Sequence, residues 1–266
     1  MPRLAANLSM LFTEFDFLDR FEAAAAAGFE AVEFLFPYAY SASVIRERLD
    51  RFGLKQALFN LSPGDWDRGE RGLSIFPERR EAFLTSVDQA LDYAMALGCP
   101  KLHVMAGVMP PALSPETARA TYVENLRMAA GRAEAAGVLL LIEPLNTRDM
   151  PGYFLTDLGQ ARDIIEEVGS PALKLQFDVY HRQIMRGDLA VALREFWPMV
   201  GHIQIAGVPG RHEPDVGEIN YPYLLDLIDE LGYDGVVGCE YRPKADTVAG
   251  LAWARRYGIA PKEMSS

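Results

Sequence analysis

Four short apolar runs in the second half of the chain end in residues that can hold a cation or move a proton. They read Leu140-Leu141-Ile142-Glu143-Pro144, Leu175-Gln176-Phe177-Asp178-Val179, Ile203-Gln204-Ile205 and Gly238-Cys239-Glu240-Tyr241. A fifth, Val32-Glu33-Phe34, lies near the start. Taking a carboxylate out of water is costly unless something compensates it. If Glu143, Asp178 and Glu240 converge, they also repel one another. A divalent cation answers both problems, because hard ions such as Mg²⁺ or Mn²⁺ take oxygen ligands. Gln204 adds a neutral oxygen from the intervening run. Taken singly, each acid reads equally well as a helix cap or as the partner of an Arg or Lys. Taken together, they read as a metal site.

The chain has four histidines. His181 follows Asp178 by three residues, just past the end of its run, where it can reach a substrate held by the metal. His202 shares a strand face with Gln204, since side chains two apart point the same way. It reads as a core histidine one layer deeper. His103 lies mid-run and reads as packing, and His212 falls in a solvated loop.

The runs alternate with helical patterns eight times. Strand candidates cover residues 4–10, 31–36, 55–60, 101–106, 138–144, 173–179, 201–206 and 235–241. Helical spacing covers 15–27, 43–52, 77–97, a long segment from Ser114-Pro115-Glu116 to Gly137, and then 157–168, 188–197, 221–231 and 247–257. Ser114 fits an N-cap with Pro at the first turn. Gly28, Gly53, Gly98, Gly137, Gly169 and Gly232 each stand where a left-handed C-cap is wanted before the next strand. Near-continuous apolar strands are expected of a parallel sheet covered by helices. Eight such units predict one (β/α)₈ TIM barrel spanning 1–266 as a single domain. That fold collects functional residues at the C-terminal strand ends, where these acids stand. An open doubly wound sheet is the structural alternative, but the first βα turn, Asn7 to Phe12, lacks the glycine-rich dinucleotide fingerprint.

Composition narrows the partners. The formal charge is −11 over 266 residues, with no basic stripe, which argues against nucleic acid. Its densest basic stretch, Glu78-Arg79-Arg80-Glu81, neutralises itself. No run is long and apolar enough for a membrane span, and the start lacks a signal peptide's hydrophobic core. Cys99 and Cys239 form no CxxC pair or disulfide framework, so the expected location is the reducing cytoplasm.

Longer motifs carry a family resemblance. Ala6-Asn7-Leu8-Ser9-Met10-Leu11-Phe12, Val32-Glu33-Phe34-Leu35-Phe36-Pro37-Tyr38, Gly69-Glu70-Arg71-Gly72, Leu141-Ile142-Glu143-Pro144, Gly217-Glu218-Ile219-Asn220-Tyr221 and Gly238-Cys239-Glu240-Tyr241 resemble the hydroxypyruvate isomerase family. That family sits among the xylose isomerase-like TIM barrels, and the likeness spans nearly the whole chain. The segments 103–107, 146–152, 211–218 and 240–243 are similar to its 2-oxo-tetronate isomerase branch. The resemblance implies a divalent metal held by Glu143, Asp178, Gln204 and Glu240. It implies that Glu143 and Glu240 are the acid/base pair, and that His181 and Arg211 contact the substrate. Gln204 stands where related sugar epimerases place a histidine, which fits a harder ion than zinc. The family also allows a homo-oligomer.

The implied reaction moves a carbonyl one carbon along a short hydroxy-oxo acid. Hydroxypyruvate becomes tartronate semialdehyde, and 2-oxo-tetronate becomes 3-oxo-tetronate. A metal stabilises the enediolate charge, paired carboxylates move the protons, and Arg211 offers a fork for the substrate carboxylate. The loop 62–76, with glycine hinges and Trp66, reads either as a lid that excludes water or as a rigid loop on the rim. Three other functions compete. A metal-dependent ketose 3-epimerase uses the same metal and carboxylates on a longer neutral sugar. A non-catalytic binding protein would exchange no protons with solvent. A DNA-repair endonuclease of this superfamily needs more histidines and a basic face than this chain has.

Overall fold

The computed structural model describes residues 1–261. Residues 262–266 of the expected 1–266 domain lie outside the described residues. Eight parallel strands close on themselves in sequence order. They are β1 Arg3–Asn7, β2 Ala31–Glu33, β3 Lys55–Asn60, β4 Lys101–His103, β5 Leu139–Ile142, β6 Leu173–Asp178, β7 Val200–Ile205 and β8 Val236–Cys239. Closure is direct, with Leu4 beside Val237 and Ala5 beside Gly238. The (β/α)₈ barrel expected from the sequence is the observed fold.

The helices are α1 Arg20–Ala26, α2 Ala42–Phe52, α3 Arg80–Leu97, α4 Pro115–Ala136, α5 Leu158–Val168, α6 Val179–Met185, α7 Leu189–Phe196, α8 Tyr221–Glu230 and α9 Thr247–Gly250. Ser114 caps α4 by accepting from the Thr117 amide, with Pro115 at the first turn. Gly98 and Gly137 end α3 and α4 with φ of 64° and 67°, the left-handed geometry that favours glycine. Three differences from the sequence reading stand out. Several strands stop earlier than their apolar runs; β4, for example, ends at His103 rather than Ala106. Helix α6 starts with no loop after β6, because the last residue of β6 is also the cap: Asp178 Oδ1 accepts from the Tyr180 amide at 2.7 Å. The helical pattern at 247–257 is one α-turn followed by a 3₁₀ segment, Leu251–Tyr257.

Strand alternation sorts the side chains into two populations. One face of each strand packs outward against the helices. Leu4, Val32, Phe59, Leu140, Leu175, Ile203 and Val237 belong to that large buried core. The other face lines the barrel interior. Its lower layer is small, with Ala5, Ala31 and Ala57 in mutual contact. Above them the interior turns polar. Asn7, Glu33, His103, Glu143, Gln176, Asp178, His202, Gln204 and Glu240 are all buried there. A polar barrel mouth on an apolar scaffold is what positions the site. Among the described residues, no helix is long and apolar enough to cross a membrane.

Candidate active site

The barrel mouth opens into a cavity of about 550 Å³ whose lining includes Glu143, Glu240, His103, His181 and Arg211. Glu143 lies one residue past β5 and Glu240 one past β8, while Asp178 closes β6. The structure groups Glu143, Asp178 and His181 most tightly, each offering one ligand atom within 4.8 Å of the others. His181 Nε2 stands 3.6 Å from Asp178 Oδ2 and 3.9 Å from Glu143 Oε1. Both of those carboxylate oxygens are buried without a hydrogen-bond partner among the described residues. Orphaned anionic oxygens at the base of a cavity fit a divalent cation, which takes such ligands.

Glu240 and Gln204 stand differently from that trio. The Glu240 carboxylate is turned toward Arg211, whose Nη2 donates to Oε2 at 2.7 Å. Arg211 also lies 3.8 Å from Asp178 and stacks over Tyr180, with its guanidinium 4.8 Å from the ring centroid. Its φ of 56° is left-handed for a residue with a side chain, so the loop after β7 holds it at some conformational cost. Gln204 is clamped from both sides. Its amide nitrogen donates to Glu33 Oε1 at 2.8 Å, and its carbonyl accepts from Gln176 Nε2 at 2.6 Å.

Burial and mutual repulsion set the protonation of this cluster. Burial, with the Glu240 and Asp178 charges, holds the Glu143 carboxyl well above the usual range. Burial pushes Glu240 up to about 8, although Arg211 opposes the rise. Asp178 is pushed up to about 6 by burial, again against Arg211. Burial works against the charge on Arg211, but Glu240 and Asp178 together more than offset it and raise its pKa. All three carboxyls are thus held above the ordinary carboxylate range by burial, which makes each a better proton acceptor than a solvated carboxylate.

His181 is held in one tautomer. Its Nδ1 accepts from the Asn146 backbone amide at 3.1 Å and from Asn146 Nδ2 at 2.7 Å. The Asn146 side chain cannot be turned round, because its Oδ1 already accepts from the Arg148 and Asp149 amides. Burial and the nearby Arg211 keep the ring neutral, with a pKa well below the ordinary value. A neutral ring whose Nδ1 accepts carries its proton on Nε2. His181 therefore points an N–H donor into the cavity.

The remaining histidines are accounted for. His202 Nε2 donates to Glu33 Oε2 at 2.7 Å, one layer below, as a core histidine. His103 is buried beside the site, 3.7 Å from Glu143 Oε2, and burial drives its pKa down to about 3. His212 is half-buried rather than solvated and meets the Arg242 carbonyl at 2.9 Å.

Residues 21–257 match the family model described as xylose isomerase-like TIM barrel. A 2-oxo-tetronate isomerase from Cupriavidus necator is 58% identical over 97% of this chain and 99% of the relative. A hydroxypyruvate isomerase from Escherichia coli is 48% identical over 97% of this chain and 100% of the relative. The chain belongs to the hydroxypyruvate isomerase family. A crystal structure from Brucella melitensis, described as an AP endonuclease, family 2, superposes on this family member with a TM-score of 0.95. It is 48% identical and covers 97% of this chain and 100% of that one.

Sequence reasoning left several site residues aside. Glu33 was visible as a fifth acidic strand end, yet its role rests on partners far along the chain. It accepts from Asn7, His202 and Gln204, making a floor under the site. Gln176 and Asn7 share the inward face of their strands and were legible by parity alone. Asn146 and Asp149 lie in the loop after β5, where no periodic signal exists.

Proposed function

We propose that this isomerase interconverts 2-oxo-tetronate with 3-oxo-tetronate, hydroxypyruvate with tartronate semialdehyde, or both. The observation that carries the reading is the pair Glu143 and Glu240, which reach one cavity from β5 and β8 with carboxyls that titrate far above their usual range. Such groups can accept a carbon-bound proton and hold it long enough to return it.

The residues assign themselves by position. One glutamate takes a proton from the carbon bearing the hydroxyl. The other delivers one to the former ketone carbon. The hydroxyl proton transfers to the former ketone oxygen, so the carbonyl moves by one carbon and atoms balance. His181, with its proton on Nε2, donates a hydrogen bond to a substrate oxygen at this stage. Arg211 neutralises part of the carboxylate cluster and faces the same cavity.

A divalent ion, Mg²⁺ or Mn²⁺, held by Glu143, Asp178, Gln204 and Glu240 would supply Lewis-acid stabilisation of negative charge on the substrate oxygens. Oxygen donors alone suit such hard ions. His181 is excluded from that set here, because in its locked tautomer Nε2 has no free lone pair. Cys99 and Cys239 are both free and buried, which supports a reducing, cytoplasmic setting.

The test supplies hydroxypyruvate and 2-oxo-tetronate side by side, with added Mn²⁺ and then with a chelator. A neutral ketose runs in parallel. Turnover of an acid that stops on chelation is expected. Epimerisation of the ketose with no turnover of either acid would overturn the substrate assignment.

A further inference from the structure

Three arginines line the cavity, and they are not equivalent. Arg211 is committed to Glu240 and Asp178 at its base. Arg71 and Arg242 line the same space, and neither is ion-paired with an acid among the described residues. Arg242 is exposed, but Arg71 is half-buried and built into place. Its guanidinium lies 3.6 Å from the centroid of the Trp66 ring. One nitrogen, Nη1, donates to the carbonyls of Trp66 and Glu70, each at 2.8 Å. Trp66 in turn packs on Phe36, with ring centroids 5.3 Å apart. The backbone at the next residue, Gly72, runs close against Met105, where a Cβ would stand 2.3 Å from the Met105 carbonyl oxygen.

This arrangement fixes a planar cation and leaves Nε and Nη2 without a partner among the described residues. A guanidinium whose orientation is already set loses little entropy when it binds a carboxylate through two parallel N–H groups. The cavity thus has a carboxylate-rich floor for the reacting carbonyl and hydroxyl, and an unpaired cation on its loop side. A substrate with a carboxylate at one end fits that polarity. A neutral sugar leaves the cation unanswered.

We propose that Arg71 is the specificity-determining anchor for the substrate carboxylate, selecting short hydroxy-oxo acids over neutral ketoses. The inference rests on the isomerase reading above and names the residue that sets its substrate class. Arg211 then serves the carboxylate floor rather than the substrate's acid end.

Calorimetry on the Mn²⁺-loaded protein tests this with two unreactive or slowly reacting probes, glycerate and neutral dihydroxyacetone. Charged hydrogen bonds of this kind are worth enough that Arg71→Met should weaken glycerate about tenfold or more. Dihydroxyacetone should stay within about twofold, Arg71→Lys should be intermediate, and millimolar guanidinium should restore glycerate binding to Arg71→Met. Equal weakening of both probes would assign Arg71 a merely structural role and overturn the proposal. Unchanged glycerate binding in Arg71→Met would overturn it as well. The discrimination is read from binding alone. If the wild type failed to isomerise either acid while the discrimination held, the reaction assignment would fall and Arg71 would still stand as the carboxylate anchor.

Discussion

Glu33 Oε1 accepts the Gln204 amide at 2.8 Å, and this bond turns the Gln204 carbonyl oxygen away from Glu33 and toward Gln176 on β6. The carboxylate is itself fixed by Asn7 and His202. It leaves no space on β8, which lies across β1 from it, where a Cβ on Gly238 would stand 2.3 Å from Glu33 Oε1. Groups that orient a metal ligand typically control affinity by about 10- to 100-fold. Glu33→Ala removes the acceptor that holds the Gln204 amide; with Gln204 as the proposed ligand, Mn²⁺ affinity should then fall by about tenfold. Calorimetric titration with Mn²⁺ checks this, and an affinity within twofold of wild type would count against it.

The same contact makes Gly238 a structural necessity. Gly238→Ala should destabilise the fold by about 1–3 kcal/mol through overpacking. Pairing it with Glu33→Ala should recover part of that loss, read as a coupling in a double-mutant cycle of denaturation midpoints. Simple additivity would show that the two side chains do not meet.

Asn146 should control which nitrogen of His181 carries the proton. In Asn146→Asp the shorter, side-chain donor at Nδ1 becomes an acceptor that outweighs the remaining backbone amide, which favours a proton on Nδ1 and frees Nε2. Imidazole ¹⁵N spectra should show Nδ1 unprotonated in the wild type and protonated in the variant. Turnover should fall by about 10²-fold, the lower range for a positioned proton donor. A wild-type spectrum with the proton on Nδ1 would contradict the assignment.

Stability should respond to pH in a stated direction. Asp178 and Glu240 are pushed up to about 6 and about 8, from ordinary values of 3.8 and 4.5. Above the ordinary values the folded state holds more protons than the unfolded chain, so stability falls with rising pH. The contribution is fully present below about 4 and is lost as pH passes through about 6 and then about 8. Melting temperature in chelator should therefore drop across that window, and Glu240→Gln should flatten its upper part. Added Mn²⁺ should raise the melting temperature by an amount that grows with pH, because the ion competes with those protons. A chelated protein that gains stability from pH 5 to 8 while Glu240→Gln does not would reverse the sign and refute the assignment.

How much of this was legible beforehand follows from the range of each interaction. The barrel was readable because its signals are local: glycines such as Gly98 and Gly137 end helices by their own φ, and Ser114 caps its own helix. Helix α6 escaped notice because Asp178 both ends a strand and caps the helix, leaving no loop between them. Their place at the ends of apolar runs marked Glu143, Asp178 and Glu240, with Gln204 on the run between, since run ends are also a local signal. Their pairing was not readable. Glu240 turns to Arg211, and Gln204 is held by Glu33, 171 residues away in sequence. Arg71 carried no more than a motif until the fold laid it on Trp66.

Trp66 lines the loop side of the cavity, packed between Phe36 and Arg71. Trp66→Leu should lower turnover by about tenfold by admitting water to the reacting centre, and leave Mn²⁺ affinity unchanged. Steady-state kinetics with a parallel Mn²⁺ titration separates the two. Unchanged turnover would reduce the indole to rim packing.

The central claim is that Glu143 and Glu240 move protons between two adjacent carbons of one acid. The most direct measurement runs the Mn²⁺-loaded wild type, Glu143→Gln and Glu240→Gln in D₂O with hydroxypyruvate and 2-oxo-tetronate, following carbon-bound deuterium by NMR. Wild type should place deuterium on the carbons that gain and lose the carbonyl, and each variant should abolish both exchange and turnover. Full turnover and exchange in either variant would contradict the account, because a carboxamide cannot do the work assigned to that carboxylate.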